Sequence, residues 1–266
     1  MMKTLSLVLA LLALPFAGRA TAAPSLAAVK KSGKVVIAID PTYPPMESEA
    51  TDGSLVGFDV DFARELAKRL GVEAQFMVMG YEGIIGGLAS GRYDLIISSM
   101  NVTPDRAKEI DFVEYGRMSQ LFVTAGGAPV AHDADMAGKV VAVPTDTTSY
   151  DHVQKQQAAG VKIKELKAFK LTSDVFMAVK TGHADVLVVD EPVARYFAKQ
   201  EPATFHITGR AMAPEPIGIG ISRQSPDLRD AVRTALTAMQ KDGTVTRLQK
   251  QWFGAELGSL DLSPSH

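Results

Sequence analysis

A chain of 266 residues, 46% of them hydrophobic and 22% charged, with a formal net charge of −2, can build one large domain or two lobes of ordinary size. The near balance of charge leaves no basic footprint for nucleic acid or for an anionic membrane surface. The lack of cysteine excludes disulfides, thiolate zinc sites, a cysteine nucleophile and the acylated cysteine that tethers an exported lipoprotein.

The chain opens with Lys3, an apolar run from Leu5 to Phe16, and the small residues Ala20, Thr21 and Ala22. That order is the order of a secretory signal, with cleavage expected after Ala22. No later run approaches the roughly 18 consecutive apolar residues that a membrane-spanning helix needs. An exported, untethered, disulfide-free chain of this size points to a Gram-negative periplasm.

Beyond the signal, apolar β-rich runs alternate with amphipathic stretches. Val35–Ile39 precedes Phe58–Leu70, and Leu95–Ile97 precedes Thr103–Lys108. Val140–Val143 then precedes Thr147–Ala158, and Val186–Val189 precedes Glu191–Lys199. The alternation predicts an α/β fold with mostly parallel sheets. Gly71, Gly91 and Gly160 each follow a helical stretch and read as left-handed caps. One pattern occurs twice, as Gly91-Arg92-Tyr93-Asp94-Leu95 and Gly182-His183-Ala184-Asp185-Val186, which predicts one copy per lobe. The strands that follow end in Ser98-Ser99 and in Asp190-Glu191, and ligands of open α/β sheets collect beyond such carboxyl ends.

Several polar residues near those ends have two readings each. Thr103-Pro104 is a helix start, and Arg106 one turn later either grips a carboxylate with its planar fork or pairs with Asp105 or Asp111 on a solvated face. Ser98, Ser99 and Asn101 lie on the approach and add neutral hydrogen bonds. Asp190 ends an apolar strand, where burial without a positive partner is costly; it either meets a ligand cation or caps the helix before Pro192. Asp59 and Asp61, set among Phe58, Val60 and Phe62, read as solvated or capping side chains. The histidines at 132, 152, 183, 206 and 266 lack metal spacing, and no GxSxG, P-loop or HExxH motif is present. No cofactor is expected.

With Asp40-Pro41-Thr42-Tyr43-Pro44-Pro45, Gly57-Phe58-Asp59-Val60-Asp61, Ser98 to Arg106, Asp190 to Ala194 and Trp252-Phe253-Gly254, the chain resembles the family 3 extracellular solute-binding proteins, the amino-acid receptors of ABC importers. The likeness runs from about Gly33 to Gly254. It implies a two-lobed, type II periplasmic binding protein fold with a two-segment hinge. Lobe 1 would span 25–118 and 211–258, lobe 2 would span 119–210, and a tail would follow over 259–266. It also implies roles: carboxylate binding by Arg106, ligand contact by Ser98 and Ser99, a second carboxylate contact at Thr148 with Ser149 beside it, and α-amino binding by Asp190. Tyr43 and Tyr81 would sandwich the ligand side chain, and Asp40 would face its far end. That last assignment favours lysine, arginine, ornithine, histidine or glutamine over glutamate or leucine; the alternative is that Asp40 merely caps the turn at Pro41. Two departures stand out. Asp146 occupies a position where the family often has glycine, and Met46 replaces a residue that is commonly aromatic, with a possible effect on the pocket floor.

The implied protein is a monomeric carrier of a polar or cationic amino acid that docks on the permease of an ABC transporter. Two rivals are a lyase on the same scaffold, with Glu82 or Glu191 as its acid, and a carrier that docks on a chemoreceptor.

Overall fold

The computed structural model describes residues 24–126 and 129–254. The expected export signal over 1–22 and the tail over 259–266 lie outside the described residues.

The chain enters through α1 (Leu26–Ser32), whose first turn is capped by the Ser25 hydroxyl, and continues into β1 (Lys34–Ile39). A small antiparallel sheet of β2 (Thr42–Tyr43), β3 (Glu47–Glu49) and β4 (Leu55–Val56) follows. Next comes α2 (Phe58–Leu70), with the boundaries that its periodicity predicts. Its Phe58, Phe62, Ala63, Leu66 and Leu70 are buried, and Gly71 at φ 70° ends it in the left-handed region. Then come β5 (Glu73–Val78), α3 (Ile84–Ala89) and β6 (Leu95–Ile96). The helix expected over Thr103–Lys108 is only α4 (Arg106–Glu109). The Thr103 hydroxyl does accept from the Arg106 amide at 3.2 Å, but no apolar face drives a longer helix, since none of its residues is buried.

After β7 (Asp111–Met118) the chain passes Ser119 into a second body: β8 (Gln120–Thr124), β9 (Val140–Pro144), α5 (Thr148–Ala158), β10 (Glu165–Phe169), α6 (Thr172–Lys180), β11 (Val186–Asp190), α7 (Glu191–Gln200) and β12 (His206–Thr208). It returns through β13 (Glu215–Ile221), and α8 (Pro226–Lys241) and α9 (Thr244–Trp252) pack on the first body.

The two large sheets share one plan. The first has the order β5-β1-β6-β13-β7 and the second β10-β9-β11-β8-β12. In each, three strands pair in parallel and a reversed strand, β13 or β8, pairs antiparallel on both sides. All residues of β9 and β11 are buried, as expected of strands covered on both faces. The repeated pattern does the same work in each sheet. Asp94 accepts from the Val36 amide at 2.7 Å and its own amide donates to the Val36 carbonyl at 2.8 Å. Asp185 does likewise with Val140, at 2.7 and 2.8 Å. Each body has its own core. The first buries Phe58, Phe62 and Tyr115 with Val232, Leu236 and Met239 of α8, and the rings of Phe62 and Tyr115 stack at 4.8 Å. The second buries Phe176, Val179, Leu187 and Val193 on one face and Met136, Val141 and Val153 on the other.

Met46 lies in the first core rather than on a pocket floor, which corrects the expectation for that position. The backbone beside it is tight: Gly57 sits at φ 137°, and a Cβ there would stand 2.2 Å from the Met46 carbonyl oxygen. Gly57→Ala is therefore expected to cost about 2–3 kcal/mol or more from backbone strain. Urea titration should show a lower midpoint at unchanged slope, and an unaltered midpoint would refute the close approach.

Candidate ligand-binding site

The carboxyl ends of β1 and β6 face those of β9 and β11 across a cleft of about 420 Å³ of atom-free space, part of it open to solvent. Of the residues singled out in the sequence, Asp40, Tyr43, Tyr81, Ser98, Ser99, Asn101 and Asp190 line it together. Sequence reasoning missed Thr42, Glu47, Thr145, Thr147, Lys170 and Thr172 on the same walls. For Glu47 the signal was faint: β3 turns Glu47 inward and Glu49 outward, and three residues are too few to read a period of two.

On the first wall, Asp40 is both turn cap and lining. Its carboxylate accepts from the Tyr81 amide at 2.8 Å, and burial raises it above the ordinary carboxylate value against the pull of Thr42 and Tyr81. Its own amide donates to the Ser98 hydroxyl at 3.1 Å, and that hydroxyl donates to Glu47 Oε1 at 2.8 Å. Ser99 adopts φ 49°, a left-handed conformation that costs a non-glycine residue free energy. Two bonds hold it there, from its amide and its hydroxyl to Asp59 Oδ2 at 2.7 and 2.9 Å. Asp59 also accepts from the Tyr115 hydroxyl at 2.8 Å and is fully buried, so the expectation of a solvated or capping side chain is corrected: the start of α2 faces the core, not water. Asp61 is partly exposed and accepts from the Trp252 indole at 3.0 Å.

Arg106 stands beside the cleft rather than on its wall. Its guanidinium lies 5.6 Å from the centre of the Tyr81 ring. Nη1 donates to the Asn101 carbonyl at 3.0 Å and Nη2 to the Asp146 carbonyl, on the other body, at 2.6 Å. It pairs with neither candidate acid; Asp105 holds Lys108 and Asp111 holds Arg229. Asp146 sits at φ 57°, the conformation that glycine adopts most easily, so its turn keeps the glycine-like shape. The helix start that follows carries the two expected hydroxyls, at Thr148 and Ser149. Thr148 is buried and accepts from the Gln120 amide group at 2.7 Å, and Ser149 is buried beside it. Thr145 and Thr147 reach the cleft in their place.

Asp190 closes β11 with one oxygen occupied and one bare. Oδ2 accepts from the Tyr43 hydroxyl, across the cleft, at 2.8 Å. Oδ1 is buried with no hydrogen-bond partner. Burial pushes this carboxyl up to about 7; Glu215 adds to the effect, and Tyr43, Arg106 and the Gln120 side chain oppose it. At the mouth, Lys170 pairs with Glu82 at 2.7 Å, and both side chains are largely exposed. Glu191 is held by Arg195 at 2.6 Å. Among the described residues no group of three or more metal-ligating side chains is assembled.

Two sheets of one plan, with polar strand ends meeting across a cleft, match a known architecture. Residues 35–255 match the model of the bacterial extracellular solute-binding proteins, family 3. The chain belongs to this family. It is 32% identical over 232 residues to the L-cystine-binding protein TcyJ of Escherichia coli (strain K12), covering 86% of each chain. An ancestral arginine-binding protein bound to arginine superposes with a TM-score of 0.79 at 37% identity, covering 84% of this chain and 99% of that one. AncCDT-1, an ancestral amino acid-binding protein and precursor of cyclohexadienyl dehydratase, superposes with a TM-score of 0.79 at 31% identity, covering 86% and 99%. The fold is thus the two-lobed one of these binding proteins, and family membership places the chain outside the cytoplasm.

The bare Asp190 oxygen has a measurable consequence. A group raised from 3.8 to about 7 on folding holds a proton in the folded state that the unfolded chain has lost. Its contribution is therefore complete below 3.8 and declines as pH rises to about 7. Asp190→Asn removes that decline, so the ligand-free variant should gain on the wild type by up to about 4 kcal/mol between pH 4 and 7. Thermal unfolding across that range tests it, and a constant difference would contradict the assignment.

Proposed function

We propose that the protein captures a cationic or polar amino acid between its lobes and delivers it to the permease of an ABC importer. The observation that carries this reading is the buried Oδ1 of Asp190, unpartnered among the described residues, set in a cleft whose lining acids are Asp40, Glu47 and Asp190 and whose one lining cation among those residues, Lys170, is already paired. A buried carboxylate without a partner is costly, and a ligand ammonium removes the cost. With that ammonium on Asp190, the ligand carboxylate would lie toward Arg106 and the turn at Thr145–Thr147. The side chain would run between Tyr43 and Tyr81 to Asp40. The names of the relatives support an amino acid: one is bound to arginine, and another is named as an L-cystine-binding protein.

Lobe limits at 25–118 with 211–258, and at 119–210, fit two crossing strands, β7 to β8 through Ser119 and β12 to β13 through 209–214. Ser119 is held by the Glu191 amide at 2.8 Å, and Gln120 by Met212 at 2.9 Å. We infer a periplasmic monomer, exported by a signal cleaved near Ala22. A carrier is favoured over a lyase because Glu82 and Glu191 are each paired with a cation, and Glu47 is engaged by Ser98.

Calorimetry with an amino-acid panel should rank arginine, lysine, ornithine, histidine and glutamine above glutamate and leucine; tight glutamate binding would sink this reading. Arg106→Ala should weaken the best ligand by about 2–5 kcal/mol with little loss of stability. Wild-type affinity in that variant would reverse the proposed orientation of the ligand.

Closure gives a further test. Small-angle scattering should show the radius of gyration fall when the best ligand of the panel saturates the protein. An unchanged radius, with binding confirmed separately, would remove the proposed hinge.

A further inference from the structure

Glu47 lies on the cleft wall at 1% exposure, and among the described residues no lysine or arginine pairs with it. Its Oε1 accepts the Ser98 hydroxyl at 2.8 Å, while Oε2 is buried and accepts from nothing. Behind it lies Asp59, fully buried, with both oxygens occupied: Oδ2 by the amide and hydroxyl of Ser99, and Oδ1 by Tyr115. Glu47 and Asp59 are neighbours: the Asp59 amide donates to the carbonyl of Met46, the residue before Glu47, at 2.8 Å, and the nearby Asp59 charge adds to burial in raising the Glu47 carboxyl. Two ionised carboxylates so close, with no cation between them, repel strongly in a low-dielectric setting, and the pair is stable when it keeps one proton. Asp59 has three donors and suits the charge. Glu47, whose Oε2 has none, suits the proton.

We propose that Glu47 is a neutral carboxylic acid that donates its proton to Asp59, and that this pair is a positioning device that fixes the polarity of the binding hydroxyls. Ser98 donates to Glu47 and Ser99 donates to Asp59, so both hydroxyls have spent their hydrogens inward. Toward the cleft they offer lone pairs alone. A surface of that polarity takes the donors of an ammonium or guanidinium and rejects a carboxylate. The inference rests on the amino-acid reading above and adds to it which end of the ligand, or which side chain, these serines accept. Other titratable groups press in the same direction. Asp40 from the end of β1 and Asp59 from α2 add to burial in raising Glu47 well above the carboxylate range. Tyr115 on β7 and Tyr81 before α3 are themselves raised by burial and stay neutral.

Two measurements decide the matter. The infrared spectrum of the ligand-free wild type at about pH 8, above the range of Asp190, should contain the carbonyl band of a protonated carboxylic acid. That band should shift when carboxyl-13C glutamate is incorporated. No band, or a band that moves only with labelled aspartate, overturns the proposal whether or not any variant folds. Calorimetry with L-arginine supplies the second measurement. Glu47→Gln can accept from Ser98 and donate to Asp59, so it should bind within about threefold of the wild type, whereas Glu47→Ala should lose at least about tenfold, or 1.4 kcal/mol. Equal loss in both variants would overturn the positioning role. If no amino acid binds the wild type, the functional reading falls, while the infrared band still decides the carboxyl pair.

Discussion

Burial of carboxyl groups without matching cations is the constraint from which the rest of this site follows. Asp40, Glu47, Asp59 and Asp190 are each at most 6% exposed, and no lysine or arginine is bonded to any of the four among the ion pairs described. In a protein interior such groups ionise only if donors surround them, and otherwise take up a proton. Donors meet the constraint at Asp40, through Tyr81, and at Asp59, through Ser99 and Tyr115. It is left partly unmet at Glu47 on the first wall and at Asp190 on the second. A bare buried oxygen costs on the order of 1–3 kcal/mol, which is free energy that a ligand cation would recover in the proposed reading.

The fold lets that recovery do mechanical work. Each lobe closes its own core on both faces of its sheet, so the lobes can move against each other without opening either core. Polar contacts that cross between them are Tyr43 to Asp190, Arg106 to the Asp146 carbonyl, and Lys170 to Glu82, and the Tyr43 ring also packs against the second core. Contacts of this kind are weak beside a buried core, and their balance can be tipped by one ligand. Asp94 and Asp185, meanwhile, clamp the strand starts at the far ends of the two sheets, which keeps the polar strand ends rigid on either side of the cleft.

Much of this was legible in the sequence, and the limits are physical. The β/α alternation, the boundaries of α2 and the glycine caps follow from local rules, since periodicity and φ are properties of short segments. Ser98, Ser99 and Asp190 were found because they end buried strands, and strand ends are visible in a sequence. Glu47, Lys170 and Thr172 lie on the walls because the two sheets happen to meet there, and no local pattern marks such a meeting. The misreading of Asp59 has the same origin. An acid at the first turn of a helix is ordinarily exposed and stabilised by the helix dipole, and only the partner serine 40 residues away shows that it is buried. Thr148 and Ser149 are buried at the start of α5, and Thr145 and Thr147 beside them line the cleft, a difference that a run of hydroxyl residues does not reveal in sequence.

Arg106 would join ligand binding to lobe closure in the proposed reading. Its guanidinium donates to two backbone carbonyls, one from each lobe, and its remaining N–H groups can still take a ligand carboxylate, since the fork carries five donors. Asp146 makes the bridge between the lobes possible, because its left-handed backbone at φ 57° turns the carbonyl toward Arg106. Closure would then be shared between the two ends of the ligand: a bond gained at Asp190, where an acceptor is bare, and a charge-assisted pair added at Arg106.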